Sequence, residues 1–262
     1  MYFLAFAIGV PLAWAAERPV PVIVELFTSE GCSSCPAADR LLSRLEQTQP
    51  VTGAQVVAIE EHVDYWNQLG WNDPFSSPQY RARQNDYAVA FKASNIYTPQ
   101  MVVNGQTAFV GSDMNRAYRE IESAAQAANT LVDLVANPNS RDPDLLDLSV
   151  QLTNGKTAKW RASNVYLAVT EKGLNTFVQG GENSGRTLRH SSVVRSFGVI
   201  GRVNPQGANG GQLVSTLRLP REWKREAQFV CRLFKLGELD SHTPAARRDV
   251  LFCHRPASGD SR

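Results

Sequence analysis

The chain has 262 residues, of which 43% are hydrophobic, and a formal net charge of +2. This length is enough for one large domain or two ordinary ones, and the composition is that of a globular protein. No stretch of Lys and Arg is concentrated enough to indicate nucleic-acid binding, and the aromatic residues do not interleave with basic ones as a base-stacking surface requires.

The first sixteen residues, MYFLAFAIGVPLAWAA, are apolar, uncharged and end in small residues. Ala13-Trp14-Ala15 matches a signal-peptidase site and the apolar run is too short to cross a bilayer, so residues 1–16 are predicted to be a secretory signal. No Lys or Arg precedes the run, which leaves a buried first strand or helix as the alternative. We therefore expect a periplasmic or secreted protein without stable membrane insertion after cleavage, in a compartment where disulfides persist.

The first folded elements surround a pair of cysteines. PVPVIVELFTS (19–29) is a β-branched apolar run that predicts a buried strand. Leucines at helical spacing then predict an amphipathic helix from about 33 to 47, with Asp39 among the charged residues assigned to its outer face. Pro36 falls in the first turn, where its missing N–H costs little.

Further strands and helices follow as far as residue 128. AQVVAIEEHVDYW (54–66) predicts a strand, and an aromatic loop at 67–78 leads to a helix at 79–94. Residues 97–111 predict two strands joined at Asn104-Gly105 by a type I′ turn. A closing helix at 112–128 is predicted, with Ser112 or Asp113 as its N-cap. This order is the layout of a thioredoxin-like α/β fold, a mixed sheet with helices on both faces.

The composition changes at NPNSRDPD, which predicts a linker at 137–144 between a thioredoxin-like domain (17–136) and a second domain (145–262). Evenly spaced short apolar runs follow without a long helical pattern, and they predict an all-β, sandwich-like domain. These predicted strands lie at 145–152, 164–173, 176–181, 191–201, 211–219, 227–237 and 249–255.

The sequence Cys32-Ser33-Ser34-Cys35 lies where the first strand meets the first helix. A helix N-terminus offers unpaired N–H groups and a positive dipole end, which lower the pKa of a nearby thiol. We therefore expect Cys32 to be an exposed nucleophile and Cys35, further into the helix, to resolve the mixed disulfide. A static disulfide or two idle thiols is the alternative interpretation.

Two further features support a redox site. Glu25 is a charged residue within an apolar strand, and a buried Glu could move protons to or from Cys35, although an exposed edge position is the alternative. Thr98-Pro99 directly precedes a strand, where thioredoxin-fold proteins carry a cis proline, so Thr98 and Pro99 are predicted to face substrate together with Tyr97 and Trp66.

Long motifs resemble a known family, namely VELFTSEGCSSCPAADRLL, HVDYWNQLGWNDPFSSPQYRARQNDYA, YTPQMVVNG and ENSGRTLRHSSVVR. Together they are similar to the secreted thioredoxin-like family called domain of unknown function 1223. The resemblance implies a thioredoxin fold with a β-rich C-terminal part. Cys231 and Cys253 depart from the family pattern, and they either form a disulfide, which would contribute about 3 kcal/mol, or remain buried thiols.

The leading hypothesis is a thiol–disulfide oxidoreductase that acts on protein thiols or disulfides and needs no cofactor. The alternative is a copper or zinc binding module in which Cys32 and Cys35 act with His62. His62 and Asp64 could equally hydrogen-bond the aromatic loop into place. That loop, with Tyr65, Trp66, Trp71 and Phe75, is interpreted as a lid or as a small satellite core.

A cluster of Arg186, Arg189 and His190 suggests either an anion site or a solvent-exposed loop.

Overall fold

The structure is a computed structural model that describes residues 19–127, 131–142, 144–153, 162–204, 211–218, 220 and 228–235. The helices of these residues are α1 (Cys35–Thr48), α2 (Pro78–Phe91) and α3 (Met114–Gln126). The strands are β1 (Val20–Thr28), β2 (Ala54–His62), β3 (Gln100–Val103), β4 (Thr107–Val110), β5 (Leu131–Pro138), β6 (Leu145–Thr153), β7 (Ser163–Lys172), β8 (Asn175–Phe177), β9 (Thr187–Arg189), β10 (Ser192–Val203), β11 (Gln212–Arg218) and β12 (Gln228–Lys235). The predicted signal (1–16) and the predicted strand at 249–255 lie outside the described residues.

A seven-stranded mixed sheet has the order β12-β7-β10-β2-β1-β3-β4. β1 and β2 run parallel and are joined through α1, whereas β3 pairs antiparallel with β1 and forms a hairpin with β4. At the hairpin turn Asn104 and Gly105 both have positive φ, which is what the predicted type I′ turn requires. The protein is therefore a mixed α/β protein.

The helices lie on opposite faces of this sheet because the side chains of β1 alternate. Val22, Val24 and Leu26 pack with apolar residues of α1 and α3 in one core cluster. Ile23 and Phe27 pack on the other face with residues of α2 in a second cluster. Each of the three helices begins within two residues of its predicted start, and the Asp113 side chain caps α3 by accepting a hydrogen bond from the Arg116 N–H. None of the described helices is both long and apolar enough to span a membrane.

Three of the strands predicted for a separate all-β domain belong to the first sheet. β10 pairs with β2 in parallel, and β7 and β12 continue the sheet outward from β10. β5, β6 and β11 form a second, three-stranded sheet that packs on β7 and β10 through an apolar cluster. Two facing sheets are thus present, but one of them also contains β1 and β2.

The stretch 137–144 was predicted to be a linker between two domains, but it lies within one sheet. Asn137 and Pro138 end β5, and β6 begins at Leu145, so the stretch connects two antiparallel neighbours of one sheet. Asn139 orders this connection by donating its amide to the Asp147 carboxylate at 3.0 and 3.1 Å. Its Pro, Asn and Asp content reflects a hairpin connection, because turns select the same residues as linkers do.

Candidate functional site

Cys32 and Cys35 form a disulfide with a Cα–Cα distance of 5.4 Å. The turn that holds them is closed by the Cys35 N–H, which donates to the Cys32 carbonyl at 3.2 Å, and α1 begins at Cys35. Cys32 Sγ also lies 3.3 Å from the Ser34 hydroxyl. The predicted position of the pair at a helix N-terminus is confirmed.

The disulfide is buried, and in this respect the prediction of an exposed Cys32 was wrong. Cys32 is 1% exposed and Cys35 is 0% exposed. A 3₁₀ turn at Gly181–Asn183 lies over the motif, and its Asn183 amide donates to the carbonyls of Glu30 (2.9 Å) and Cys32 (2.8 Å). This segment is far away in the sequence, so no local pattern could have shown that it covers Cys32. We call it the covering turn.

The covering turn also contacts the aromatic loop through glycines. A Cβ atom on Gly180 would lie 2.2 Å from the carbonyl oxygen of Gly70, and one on Gly181 would lie 3.1 Å from the Cβ atom of Trp71. Two backbones can approach this closely only where no side chain intervenes. Two segments from different halves of the chain therefore meet beside the disulfide.

Glu25 is buried, which is one of the two alternatives that the sequence left open, but it does not lie beneath the cysteines. Strand alternation places it on the α2 face of the sheet, opposite α1. There it forms an ion pair with Arg83, and Tyr87 donates a hydrogen bond to it at 2.5 Å. Arg83 also binds Glu61 at 3.1 Å. Glu25 is therefore part of a structural ion-pair network, and the role predicted for it beside Cys35 is corrected.

Asp39 of α1 is also a buried acid, although the charge pattern of the helix predicts it on the outer face. It is 4% exposed, and the Thr28 hydroxyl donates to its carboxylate at 2.7 Å. Burial and the nearby Glu60 charge raise the pKa of Asp39 to about 7. Because Asp39 follows Cys35 by four residues, the two side chains project from neighbouring turns of the same helix face.

The residues predicted to face substrate are partly gathered beside the motif. The Thr98–Pro99 bond is cis, and Trp66 Nε1 donates to the Thr98 hydroxyl at 2.8 Å. A Cβ atom on Gly31 would lie 3.2 Å from the Trp66 Cβ atom, which places this indole between the start of the Cys motif and Thr98. Tyr97 lies at the surface with 37% exposure.

His62 is fully buried and belongs to a cluster of acidic and imidazole groups. Its Nδ1 lies 2.7 Å from Asp73 Oδ2, and its Nε2 lies 3.4 Å from Glu60 Oε1. His190 bridges two carboxylates, with Nδ1 2.8 Å from Glu60 and Nε2 3.0 Å from Glu30. We call Glu30, Glu60, His62, Asp73 and His190 the carboxylate–histidine cluster.

The aromatic loop covers this cluster. The Phe75 ring meets the rings of His62 and His190 edge-on, with centroids 5.4 and 5.5 Å away. Trp71 donates its indole N–H to Glu30 at 2.7 Å, and Asp73 reaches in from the same loop. His62 therefore holds the aromatic loop in place through its hydrogen bond with Asp73, as the alternative to a metal-binding role predicted.

Within the cluster, the opposite charges of Glu60, His62, Asp73 and His190 hold one another ionised despite burial. Burial by itself lowers the pKa of His62, but the Asp73 and Glu60 carboxylates outweigh it and raise this pKa well above the ordinary value. Burial likewise lowers the pKa of His190, but its hydrogen bonds to Glu30 and Glu60 outweigh burial and raise this pKa to about 9. For Glu60 burial raises the pKa, and the two imidazoles reverse this effect and hold it well below its usual range.

The other polar residues singled out in the sequence lie apart from one another in the structure. Asp64 pairs with Arg81 at 3.3 Å, and Arg186 donates to the Asn183 side chain at 2.6 Å, while His190 points into the cluster. Of the two alternatives for Arg186, Arg189 and His190, the anion site is therefore not assembled, and the two arginines are exposed as a surface loop predicts, whereas His190 is buried.

The predicted metal site of the two cysteines with His62 is also not assembled. Among the described residues, the metal-binding atoms gathered around His62 come from Glu60 and His190, and the two sulfurs are bonded to each other. Cys253 lies outside the described residues, so its pairing with Cys231 stays a prediction.

Comparisons with known proteins identify relatives by family and by structure. A model of the family "Protein of unknown function (DUF1223)" matches residues 23–233. The crystal structure of a structural-genomics target from Agrobacterium tumefaciens is similar over 88% of this chain and 92% of that one, with 27% identity and a TM-score of 0.63. HBP35 of Porphyromonas gingivalis is similar over 82% of this chain and 69% of that one, with 14% identity and a TM-score of 0.55, so this likeness concerns the fold alone. No curated protein matches the sequence.

Proposed function

We propose that this chain, which belongs to the DUF1223 family of proteins of unknown function, is a periplasmic or secreted thiol–disulfide oxidoreductase. The observation that carries the proposal is the Cys32–Cys35 disulfide in the turn that opens α1. The signal-like segment at 1–16 supports an oxidising compartment, where such a disulfide persists between catalytic cycles.

A thioredoxin-like arrangement of the N-terminal half supports the proposal. β1, α1 and β2 form a parallel unit, the β3–β4 hairpin pairs antiparallel with β1, and α3 packs on the same face as α1. Pro99 belongs to this arrangement, because a Cβ atom on Gly111 would touch both the Pro99 Cβ atom (3.1 Å) and the Ala38 Cβ atom (3.0 Å) in α1. Fold alone does not establish activity, so the reaction is argued from the site.

The reaction is an exchange of two electrons with a protein dithiol. A substrate thiolate attacks Cys32 Sγ, the Cys32–Cys35 bond breaks, and Cys35 leaves as a thiolate that takes up a proton. A second substrate thiolate then attacks the substrate sulfur of the mixed disulfide and releases Cys32 as a thiolate. The substrate loses two electrons and the protein gains them, and the reverse sequence reduces a substrate disulfide.

The surroundings of Cys32 favour the thiolate form. The sulfur lies just before the N-terminus of α1, where N–H groups and the helix dipole stabilise negative charge. In the reduced protein the Ser34 hydroxyl, 3.3 Å away in the oxidised form, can donate a hydrogen bond to this thiolate. Cys32 is therefore the leaving and attacking sulfur toward substrate.

Asp39 is the group that handles the Cys35 proton. A buried thiolate needs a proton when the disulfide opens, and a carboxyl whose pKa is about 7 holds one near neutral pH. Asp39 is buried on the same helix face as Cys35, one turn later. Asp39 therefore has the proton-transfer role that was predicted for Glu25.

Substrate access requires a movement of the covering turn, because Cys32 is buried beneath it. Ser33 is exposed and its N–H donates to Glu182 of the covering turn at 2.9 Å, so this contact is the outermost one between the turn and the motif. When the covering turn lifts, Cys32 becomes open beside Trp66 and Thr98, which would line the substrate groove.

Redox titration tests the proposal. The purified protein is equilibrated in glutathione buffers of graded potential, its free thiols are alkylated, and the Cys32–Cys35 peptide is quantified by mass spectrometry. We expect a reversible two-electron couple that Cys32→Ser and Cys35→Ser each abolish. The protein should also catalyse oxidation of a model dithiol peptide or reduction of its disulfide.

The other two cysteines provide the control. A Cys231→Ser/Cys253→Ser double variant keeps the motif intact and should retain the couple at the same potential. The absence of a reversible couple in the wild-type protein, or a couple that follows Cys231 and Cys253, would reject the proposal. Copper competition with the reduced protein separates the metal alternative, since copper held by Cys32 and Cys35 would block alkylation of both thiols.

A further inference from the structure

Three metal-ligating atoms converge inside the carboxylate–histidine cluster. Side-chain ligand atoms of Glu60, His62 and His190 all lie within 4.8 Å of one another, and all three residues are buried. β10 makes this convergence possible, because its pairing of Val193 with Glu60 brings the segment just before it against the end of β2. None of the three ligand atoms is a sulfur of the Cys motif.

Each of the three side chains is anchored through the atom that faces away from the convergence. His62 Nδ1 is held by Asp73 at 2.7 Å, and His190 Nε2 is held by Glu30 at 3.0 Å. Glu60 Oε2 accepts from the Ser191 N–H at 3.0 Å and lies 3.3 Å from its hydroxyl. A carboxylate that fixes the outer nitrogen of a histidine is the usual support of a metal-ligating imidazole.

The inner atoms are consequently His62 Nε2, His190 Nδ1 and Glu60 Oε1. His62 Nε2 and Glu60 Oε1 are 3.4 Å apart, the separation of about 3.4 Å that two ligands have on a tetrahedral ion with bonds of roughly 2.1 Å. His190 Nδ1 lies 2.8 Å from the same oxygen, and all three atoms lie within 4.8 Å of one another, so the two imidazoles would have to shift to reach tetrahedral spacing.

One of these atoms has no hydrogen-bond partner of its own. His62 Nε2 is fully buried, and its contact with Glu60 at 3.4 Å does not have hydrogen-bond geometry. An unpartnered buried nitrogen is costly, and a ligand that binds it removes the cost. The cluster also places three carboxyl groups around two imidazoles, and this excess of oxygen acceptors over ring N–H donors favours a cation.

We propose that Glu60, His62 and His190 bind one zinc-like divalent cation through Oε1, Nε2 and Nδ1, respectively. Binding displaces the protons on the two inner nitrogens to solvent, because only a deprotonated imidazole nitrogen ligates a metal. Two imidazoles and one carboxylate are the donor set of a borderline ion such as Zn²⁺, whereas Mg²⁺ and Ca²⁺ prefer oxygen ligands throughout. The three protein ligands leave a fourth tetrahedral position. The ion would hold the end of β2 to the segment just before β10, and Phe75 of the aromatic loop covers it.

Zinc titration of the oxidised, full-length protein tests the proposal independently of the redox function, since the Cys32–Cys35 disulfide offers no thiolate. After dialysis against a chelator, Zn²⁺ is titrated in competition with a chromophoric chelator, and circular dichroism checks that each variant is folded. We expect one equivalent of tight binding, loss of that equivalent in His62→Gln and Glu60→Gln, and a 10- to 100-fold weaker affinity in Asp73→Asn.

The matched control removes the other two histidines of the chain. A His242→Gln/His254→Gln double variant, whose changes lie outside the described residues, should bind Zn²⁺ as the wild type does. X-ray absorption at the zinc edge of the wild type, which needs no variant, should show nitrogen and oxygen neighbours with imidazole scattering. No binding by the wild type, binding that survives His62→Gln in a folded variant, binding lost in the control, or sulfur neighbours would each overturn the proposal.

Discussion

Replacing Asp39 with Asn should stabilise the protein at neutral and higher pH. Asp39 is 4% exposed, and burial together with the Glu60 charge raises its pKa to about 7. The folded state therefore resists losing the Asp39 proton, whereas the unfolded chain loses it near the ordinary value of 3.8. Asn has nearly the same shape, can still accept the hydrogen bond from Thr28, and never ionises.

The size and sign of the effect follow from linkage. Between pH 4 and pH 7 the folded state holds a proton that the unfolded state has lost, so the stability of the wild type falls as pH rises. The interval from 3.8 to about 7, at 1.36 kcal/mol per pH unit, corresponds to a cost of about 4 kcal/mol that is fully present above pH 7. The Asp39→Asn variant should avoid this cost, so the stability difference between the two proteins should grow from near zero at pH 4 to at most about 4 kcal/mol at pH 8.

Urea unfolding at half-unit intervals from pH 4 to pH 8, followed by circular dichroism, measures this difference. Titrating groups that do not interact with Asp39 affect both proteins alike, so the difference curve reports Asp39 together with the neighbours coupled to it, Glu60, His62 and His190. Asp86→Asn, on the exposed side of α2, is the matched control and should leave the pH dependence unchanged. A difference curve that is flat across this range, or that shows Asp39→Asn to be less stable at pH 8, would refute the reasoning.

The same substitution separates a structural acid from a proton-handling one. If Asp39 serves the Cys35 thiol, Asp39→Asn should slow thiol–disulfide exchange about 10²-fold or more and flatten its pH profile near pH 7, even though the protein is more stable. A purely structural Asp39 would leave the pH profile of the rate unchanged.

Three further substitutions test the packing around the site. Arg83→Met should destabilise the protein by about 3–5 kcal/mol in urea unfolding, because it leaves two buried carboxylates without their cation. Gly111→Ala should cost about 1–3 kcal/mol, since its new Cβ atom would lie 3.0 Å from the Ala38 Cβ atom, whereas Gly198→Ala enters open space and should cost nothing measurable. Asn183→Ala should cost about 1–3 kcal/mol and raise the rate at which dithiothreitol reduces the disulfide, because two buried carbonyls lose the amide that ties the covering turn down.

Each of these predictions has its own control or contrary outcome. Adding Glu25→Gln to Arg83→Met should recover part of the lost stability, and no recovery would show that the ion pair is not the cause. Ser184→Ala, next to Asn183 and exposed, should leave the reduction rate as it is. If Asn183→Ala also leaves that rate unchanged, the covering turn does not limit access to Cys32.

The order of elements in the N-terminal half was predictable from the sequence because each element has a local signal. A continuous β-branched apolar run located β1 and a helical apolar pattern located α1, and the positive φ values at Asn104 and Gly105 follow from residues that tolerate them. The Cys pair at the start of α1 was likewise evident from spacing alone. β5 and the short β9 were missed, because β5 ends in the stretch that was interpreted as a linker and β9 has only 3 residues.

The buried acids show where local patterns fail. Charge periodicity assigned Asp39 to the outer face of α1, but the polar groups at the end of β2 extend the buried surface to that side. Glu25 was expected near Cys35 because of its place in the sequence, yet a strand sends alternate side chains to opposite faces, and Arg83 lies on the other one.

The sequence alone determined that a Cys-x-x-Cys pair sits at the start of a helix, since a strand pattern before it and a helical pattern after it are local features. Only the tertiary structure decided what surrounds the pair. Asn183 covers Cys32 from 151 positions away, and His190 meets Glu30 across 160 positions, through a strand pairing that no local periodicity encodes. Burial, pKa and cation affinity depend on these long-range neighbours, because each is set by the charges and solvent within a few ångströms of a side chain.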